Sequence, residues 1–493
     1  MAHVLGLKKL SAAEEVKVSN ALKSAVMAFT SQWAQSSQRS SARWPDLYGP
    51  DGSRFFDPSD LDMGADFDRT LQISFWHQAR RSLDECSDIE SFRVAFAEII
   101  FGLTQKYADK PEEQPDLLGP EKGIDTSDAV DEILRGDSQP TWVERATRRL
   151  HVLRRRVELF DRRSRNKKDR ASFCNAENRR TIDLLFWLAV MFDTISAAMT
   201  ERPLTVSDED SGDPALSHPS NPPNALTSNT IKGWNRILTK DQQTKITSMR
   251  WPLTHEIISQ ELADAVPVKV LLYRKATRLQ TLILQDSEPT KIEETIEDTL
   301  MVYRHWNLLY HPLFSDCIEN HLYLPARIQS WYVCLLGHWL LATLLIVNLI
   351  RCVDQQGLGL EGQKRRRTEM GQAHGILKAS VRMISDLARA SIPRDDEQGQ
   401  LDNFHDAVNE GALLTEPWTM ILIRTFSGAA ITLLEEMRPR GVEHGVSILY
   451  VDDRDNYARC EDCVKALWYL GRKSDMARHV ANVLATSLQH WKL

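Results

Sequence analysis

Apolar positions recur every three or four residues along most of the chain, in segments separated by polar stretches rich in proline and glycine. Val16, Val18, Leu22, Ala25, Val26, Phe29 and Trp33 make one face of the first segment, which Ser11 and Glu14 open as a capping box. The same spacing predicts helices over 69–83, 89–107, 254–284 with a break at Pro267, 292–309, 376–390, 412–437 and 456–491. Thr290 and Glu293 read as another capping box. Thr141, with Glu144 three residues on, starts a helix that runs through RRLHVLRRRVELF. Alternation of period two never lasts more than four or five residues, and the best strand candidate, SILYVDD at 447–453, is isolated. No repeat of 20–50 residues is present. The pattern predicts an all-α fold, one large multi-helix domain over 1–493. Its loops are expected at about 36–68, 108–136, 204–229, 353–372 and 391–402.

Two helical segments stand out. WYVCLLGHWLLATLLIVNLI (331–350) is long enough to span a bilayer and carries no formal charge. Gly337, His338, Thr343 and Asn348 interrupt it, which favours a buried central helix; a membrane anchor is the alternative. In 177–202, Leu184, Leu185, Trp187, Leu188, Met191, Phe192, Ile195 and Met199 form a broad apolar face. Arg180, Asp183, Asp193 and Thr194 are expected on the remaining surface, and Pro203 stops the helix.

With 42% hydrophobic and 26% charged residues, the composition is that of an ordinary globular protein. The net charge of −7 leaves nucleic-acid binding to a local patch at most. Seven cysteines, an odd and scattered set, fit reduced thiols and an intracellular protein. One basic patch exists: 141–170 holds twelve Lys/Arg against four Asp/Glu. Arg154, Arg155 and Arg156, then Arg162, Arg163, Arg165, Lys167, Lys168 and Arg170, form a candidate nuclear-import signal, or else a solvated helix face. Lys364–Arg367 is a second, weaker candidate.

Catalytic signals are sparse. Cys460 and Cys463 form one CxxC without a second ligand pair, so they read as packed helix cysteines. Asp452-Asp453-Arg454-Asp455 invites comparison with the aspartate-rich motif of all-α terpene cyclases, but its third aspartate comes one position early. Asp208-Glu209-Asp210 reads as a solvated turn. His77, His338 and His405 read as packing or surface residues. Phosphate-loop, dinucleotide, nucleophile-elbow and H-E-x-x-H motifs are absent. No catalytic, cofactor or metal residue is assigned, and no cofactor is expected.

The order of residue types in 177–210 is more specific. Glu177, Arg179-Arg180, Phe186-Trp187, Asp193, Arg202-Pro203 and Asp208 resemble the signature of the fungal-specific transcription factor domain. That domain is the middle homology region of fungal zinc-cluster regulators. Ala146–Leu153 resembles its preceding helix, Tyr310-His311-Pro312 and the following apolar helix its mid-domain core, and 463–484 its closing helix. Glu201 stands where the family often has glycine. The six-cysteine zinc cluster has no counterpart here, since Cys86 is the first cysteine and stands alone. The resemblance therefore supplies no residue for direct DNA contact, unless an upstream exon carries one. It implies a nuclear regulator of a metabolic or secondary-metabolite gene set, as a homo- or heterodimer. The implied partners are other transcriptional regulators or a small-molecule effector, with no membrane. The rival is an all-α, cyclase-like enzyme on a similar scaffold.

Overall fold

The computed structural model describes residues 10–33, 66–105, 125–136, 141–164, 176–211, 233–238, 248–392, 411–437 and 451–489. Its longer helices, in chain order, are α1 (Ala12–Ser31), α2 (Asp66–Asp84), α3 (Phe92–Gly102), α4 (Thr126–Arg135) and α5 (Thr141–Ser164). Then come α6 (Ala176–Met199), α7 (His255–Leu284), α8 (Pro289–Leu309), α9 (His311–Glu319) and α10 (Ala326–Gln356). The last are α11 (Glu361–Glu369), α12 (Gln372–Ser391), α13 (Thr419–Met437), α14 (Val451–Leu470) and α15 (Asp475–Gln489). Among the described residues there are no strands: the fold is all-α.

The most apolar run forms the axis. It lies inside α10, which packs against α7, α12 and α13 and ends at the left-handed Gly357 (φ 69°). Among the described residues, α10 and the 177–199 part of α6 are long and apolar enough to cross a membrane; 78% and 61% of their apolar stretches are buried within the protein. Gly337 has a packing role: a Cβ there would run into Leu422 of α13, and Thr425 Oγ1 donates to the Gly337 carbonyl at 3.2 Å. The Leu422 side chain fills the space a Cβ would need, which explains the glycine. On another face of α10, Trp339 stacks on Trp306 of α8, with ring centroids 4.0 Å apart and planes 9° from parallel. Such a pair adds about 0.5–1.5 kcal/mol beyond the area it buries.

A smaller apolar cluster unites Val18, Ala25, Trp76, Leu83, Val94 and Phe101 from α1, α2 and α3. The Ser11–Glu14 capping box is formed: Glu14 N donates to Ser11 Oγ at 3.2 Å and Ser11 N to Glu14 Oε2 at 2.7 Å. This cluster joins the rest through α5, where Trp142 packs against it, and through Trp33, whose Nε1 donates to the Leu414 carbonyl at 2.6 Å.

Several expectations are corrected. The loop at 108–136 contains α4, and that at 353–372 contains the end of α10 and all of α11. Val451–Asp453, the end of the strand candidate, begin α14; residues 447–450 lie outside the described residues. Helix α7 is continuous through Pro267, because Leu262, Ala265, Val268 and Leu271 remain buried on either side and hold both halves to one core. The Thr290–Glu293 box does not form. Glu288 is the N-cap of α8, without a side-chain cap bond, and Glu293 binds Arg367 and the Leu360 N–H instead. The segment 456–491 is two helices. Gly471 lets α15 turn back where a Cβ would press on the Trp468 carbonyl, and Ser474 Oγ caps α15 by accepting from Ala477 N at 3.1 Å.

Candidate functional site

Asp193 and Arg202, two of the residues that carry the family resemblance, are bonded to each other. Arg202 Nη2 donates to Asp193 Oδ1 at 2.8 Å, and Thr205 donates to the same carboxylate from N (2.9 Å, to Oδ2) and Oγ1 (2.7 Å, to Oδ1). Arg202 Nε lies 3.0 Å from Glu144 of α5. One step along, Arg274 of α7 binds the Asp208 carboxylate, the Val206 carbonyl (3.0 Å) and Thr194 Oγ1 (3.3 Å), with its guanidinium over the Trp234 ring. Asp193 and Thr194 are thus buried, not on the surface as the spacing suggested, because the chain after α6 folds back and partners them. Leu184 makes the opposite exchange and is 72% exposed. Phe186 is buried and Trp187 half-buried, Arg179 and Arg180 lie at the outer start of α6, and Pro203 is exposed beyond its end. Glu201 has φ 53°, a left-handed conformation that glycine adopts without strain.

The basic run is tied down where it is described. Arg154 Nε lies 3.3 Å from both Glu158 and Asp183, and its guanidinium covers the Phe186 ring at 4.4 Å. Arg155 donates to Asp210 at 2.6 Å, and Arg156 pairs with Glu90. Arg162 and Arg163 belong to the last turn of α5; their side chains, and Arg165, Lys167, Lys168 and Arg170, lie outside the described residues. In the second basic run, Arg365 pairs with Glu369 at 3.0 Å and Arg367 is buried.

A buried polar cluster that sequence reasoning missed sits where α7, α10, the segment before α13 and the α14–α15 turn meet. Glu416 Oε1 accepts from Trp418 N at 3.0 Å and lies 3.2 Å from His338 Nε2. Lys269 Nζ is 3.4 Å from His338 Nδ1. Lys473 donates to the Glu416 carbonyl, and Tyr273 to the His338 carbonyl at 2.6 Å. With Nε2–H given to the carboxylate, Nδ1 is left to accept from the lysine, which describes a neutral imidazole. Burial and the Lys269 charge depress His338's basicity accordingly. Burial lowers Lys269 to about 8 and Lys473 to about 7, each partly offset by Glu416. Burial pushes Glu416 up, but hydrogen bonds from His338, Trp418 and Cys334 outweigh it and hold the carboxylate low. All four charged or titrating side chains are enclosed, so the cluster presents nothing to solvent. His338, read from the sequence as a packing residue, is the hub of this network.

Another buried carboxylate lies on α3, beside the smaller cluster. Glu98 stands 3.1 Å from Arg149 Nε and 3.2 Å from Arg145 Nη2, and burial nevertheless raises it to about 6.

A cleft of about 640 Å³ lies between α8 and α11. Ile296, Leu300, Leu360 and Met370 supply its apolar surface, and Glu294, Glu297, Arg304, Arg366 and Arg367 its charges. Arg367 is 6% exposed and its fork engages Glu293 (Nη2–Oε1 3.0 Å) and Asp354 (Nε–Oδ2 3.3 Å). These contacts hold its guanidinium above its ordinary value, against the opposing effect of burial. It is the buried residue of α11, so this one side chain anchors that helix to α8 and to the end of α10.

Cys460 and Cys463 are fully buried in α14, and burial pushes both thiols up, so they pack and do not react. Asp455 is paired with Arg459 at 2.8 Å, and the Asp452 side chain lies outside the described residues, as does His405. Among the described residues, no group of three or more His, Cys, Asp or Glu side chains is placed to hold a metal ion. Comparison with known protein families, with curated proteins and with solved structures gives no match to this chain.

Proposed function

We propose that the protein is a transcriptional regulator of the fungal zinc-cluster type, acting through its helical regulatory domain. One observation carries the reading. Asp193, Arg202 and Asp208, matched to the family signature by sequence alone, fall on a single ion-paired fold-back that fastens the exit of α6 to α5 and α7. Glu201, where the family often has glycine, has a glycine-like backbone. In this reading the protein works in the nucleus on a metabolic or secondary-metabolite gene set. It answers a small-molecule effector or another regulator. The cleft between α8 and α11 is the candidate effector site.

The test is promoter occupancy in the native host together with transcript changes on deletion. Occupancy that disappears when a partner regulator is removed supports the co-regulator role. Intact transcripts with a missing metabolite support the enzyme instead.

A further inference from the structure

The charges around the α8–α11 cleft separate into two kinds. Arg367 is consumed by Glu293 and Asp354, and Arg304 by Glu297, whose oxygens lie 2.8 and 3.3 Å from its two terminal nitrogens. Two lining charges remain exposed with no partner among the described residues: Glu294 on α8 and Arg366 on α11. They are one anion and one cation, on opposite walls. Leu360 (41% exposed) and Met370 (59% exposed) flank them, and Ile296 and Leu300 lie behind. Exposed large apolar side chains in a concavity are what ligand sites offer, and about 640 Å³ falls within the usual ~300–1,000 Å³.

We propose that this cleft binds a zwitterion with an apolar body, a short hydrophobic peptide with open termini. The amino group meets Glu294, the carboxylate meets Arg366, and the side chains rest on Leu360 and Met370. A guanidinium suits the carboxylate because it offers two parallel donors. The tie from Arg367 to Asp354 gives the ligand a route to the fold: a force on α11 reaches the end of α10, the central helix. The proposal deepens the effector-response reading above and rests on it only for its purpose, since binding is a property of the purified chain.

The probe is tri-leucine, titrated calorimetrically into the full chain beside its N-acetylated and C-amidated forms. Binding that weakens at least tenfold on blocking either end is expected. Arg366→Glu should weaken the free peptide at least tenfold while reducing the penalty for amidation, and Glu294→Gln should do the same for acetylation. Both positions are exposed, so the variants fold; circular dichroism checks this. No binding of tri-leucine, equal binding of free and blocked peptides, or binding indifferent to both variants overturns the proposal. Peptide binding without promoter occupancy keeps the site and removes the transcriptional role. Occupancy without peptide binding does the reverse.

Discussion

The Lys473 ammonium lies 3.7 Å from the centre of the Trp33 indole ring. The same indole donates to the Leu414 carbonyl, and the same ammonium donates to the Glu416 carbonyl two residues on. One residue just past α1 is therefore held by the segment that leads into α13 and by the turn between α14 and α15. A desolvated cation–π contact is worth about 2 kcal/mol and a hydrogen bond about 1 kcal/mol. Trp33→Leu should lower the stability to urea by roughly 2–3 kcal/mol. It should also speed hydrogen exchange in α1 more than in α10. Equal loosening of both helices would show that Trp33 is not a local tether.

The buried lysines make stability depend on pH. Both have folded values below the ordinary 10.5, about 7 for Lys473 and about 8 for Lys269. Below about pH 7 both are charged in the folded and the unfolded chain, and folding carries the full cost of burying them. As pH climbs from there towards 10.5 the unfolded chain binds more protons, so stability rises, by up to about 1.4 kcal/mol per pH unit for each lysine. The urea midpoint should therefore increase between pH 7 and 9. Lys473→Met should flatten that increase; an identical slope in the variant would mean that Lys473 is not the group responsible.

At Glu201 the backbone is left-handed, which costs a side-chain-bearing residue about 1–2 kcal/mol. Glycine removes that cost but adds freedom to the unfolded chain. The balance predicts that Glu201→Gly raises stability by about 0.5–1 kcal/mol. Thermal unfolding is the measurement, and a drop in Tm would refute the strain.

Gly337→Ala tests the approach of α10 to α13. The added methyl meets Leu422, so overpacking of about 1–3 kcal/mol competes with a gain in helix propensity of about 1 kcal/mol. A net loss is expected. Leu422→Ala should then cost less in the Gly337→Ala background than in the parent chain; additive losses would place the clash elsewhere.

Helices were legible because burial of one face writes a period of three to four into the sequence, and the Ser11–Glu14 box marked the first start correctly. Side-chain partners were not. Asp193 looked like a surface interruption of α6 because its partners, Arg202 and Thr205, come after the helix ends at Met199, beyond the helical repeat. Glu293 looked like a cap, yet its partner Arg367 arrives only through folding of α11. Gly471 did not announce itself as a break, since the apolar spacing continues across it. The cluster of Lys269, His338, Glu416 and Lys473 has no local signature at all. Lys269 and His338 sit among buried apolar neighbours on two helices, Glu416 lies in the segment before α13 and Lys473 in the α14–α15 turn, and only the packing of four distant segments brings them together.

The Trp33 tether also has a bearing on synthesis. The indole and its acceptor carbonyl are 381 residues apart, and the lysine that covers the ring comes later still. Emerging from a ribosome, α1, α2 and α3 can gather their own small core early and settle on α5, but the Trp33 part of their anchorage waits until nearly the whole polypeptide has been made. Until then the Trp33 indole has its neighbour Phe29, 4.9 Å away on α1, to pack against, and its other two contacts form last.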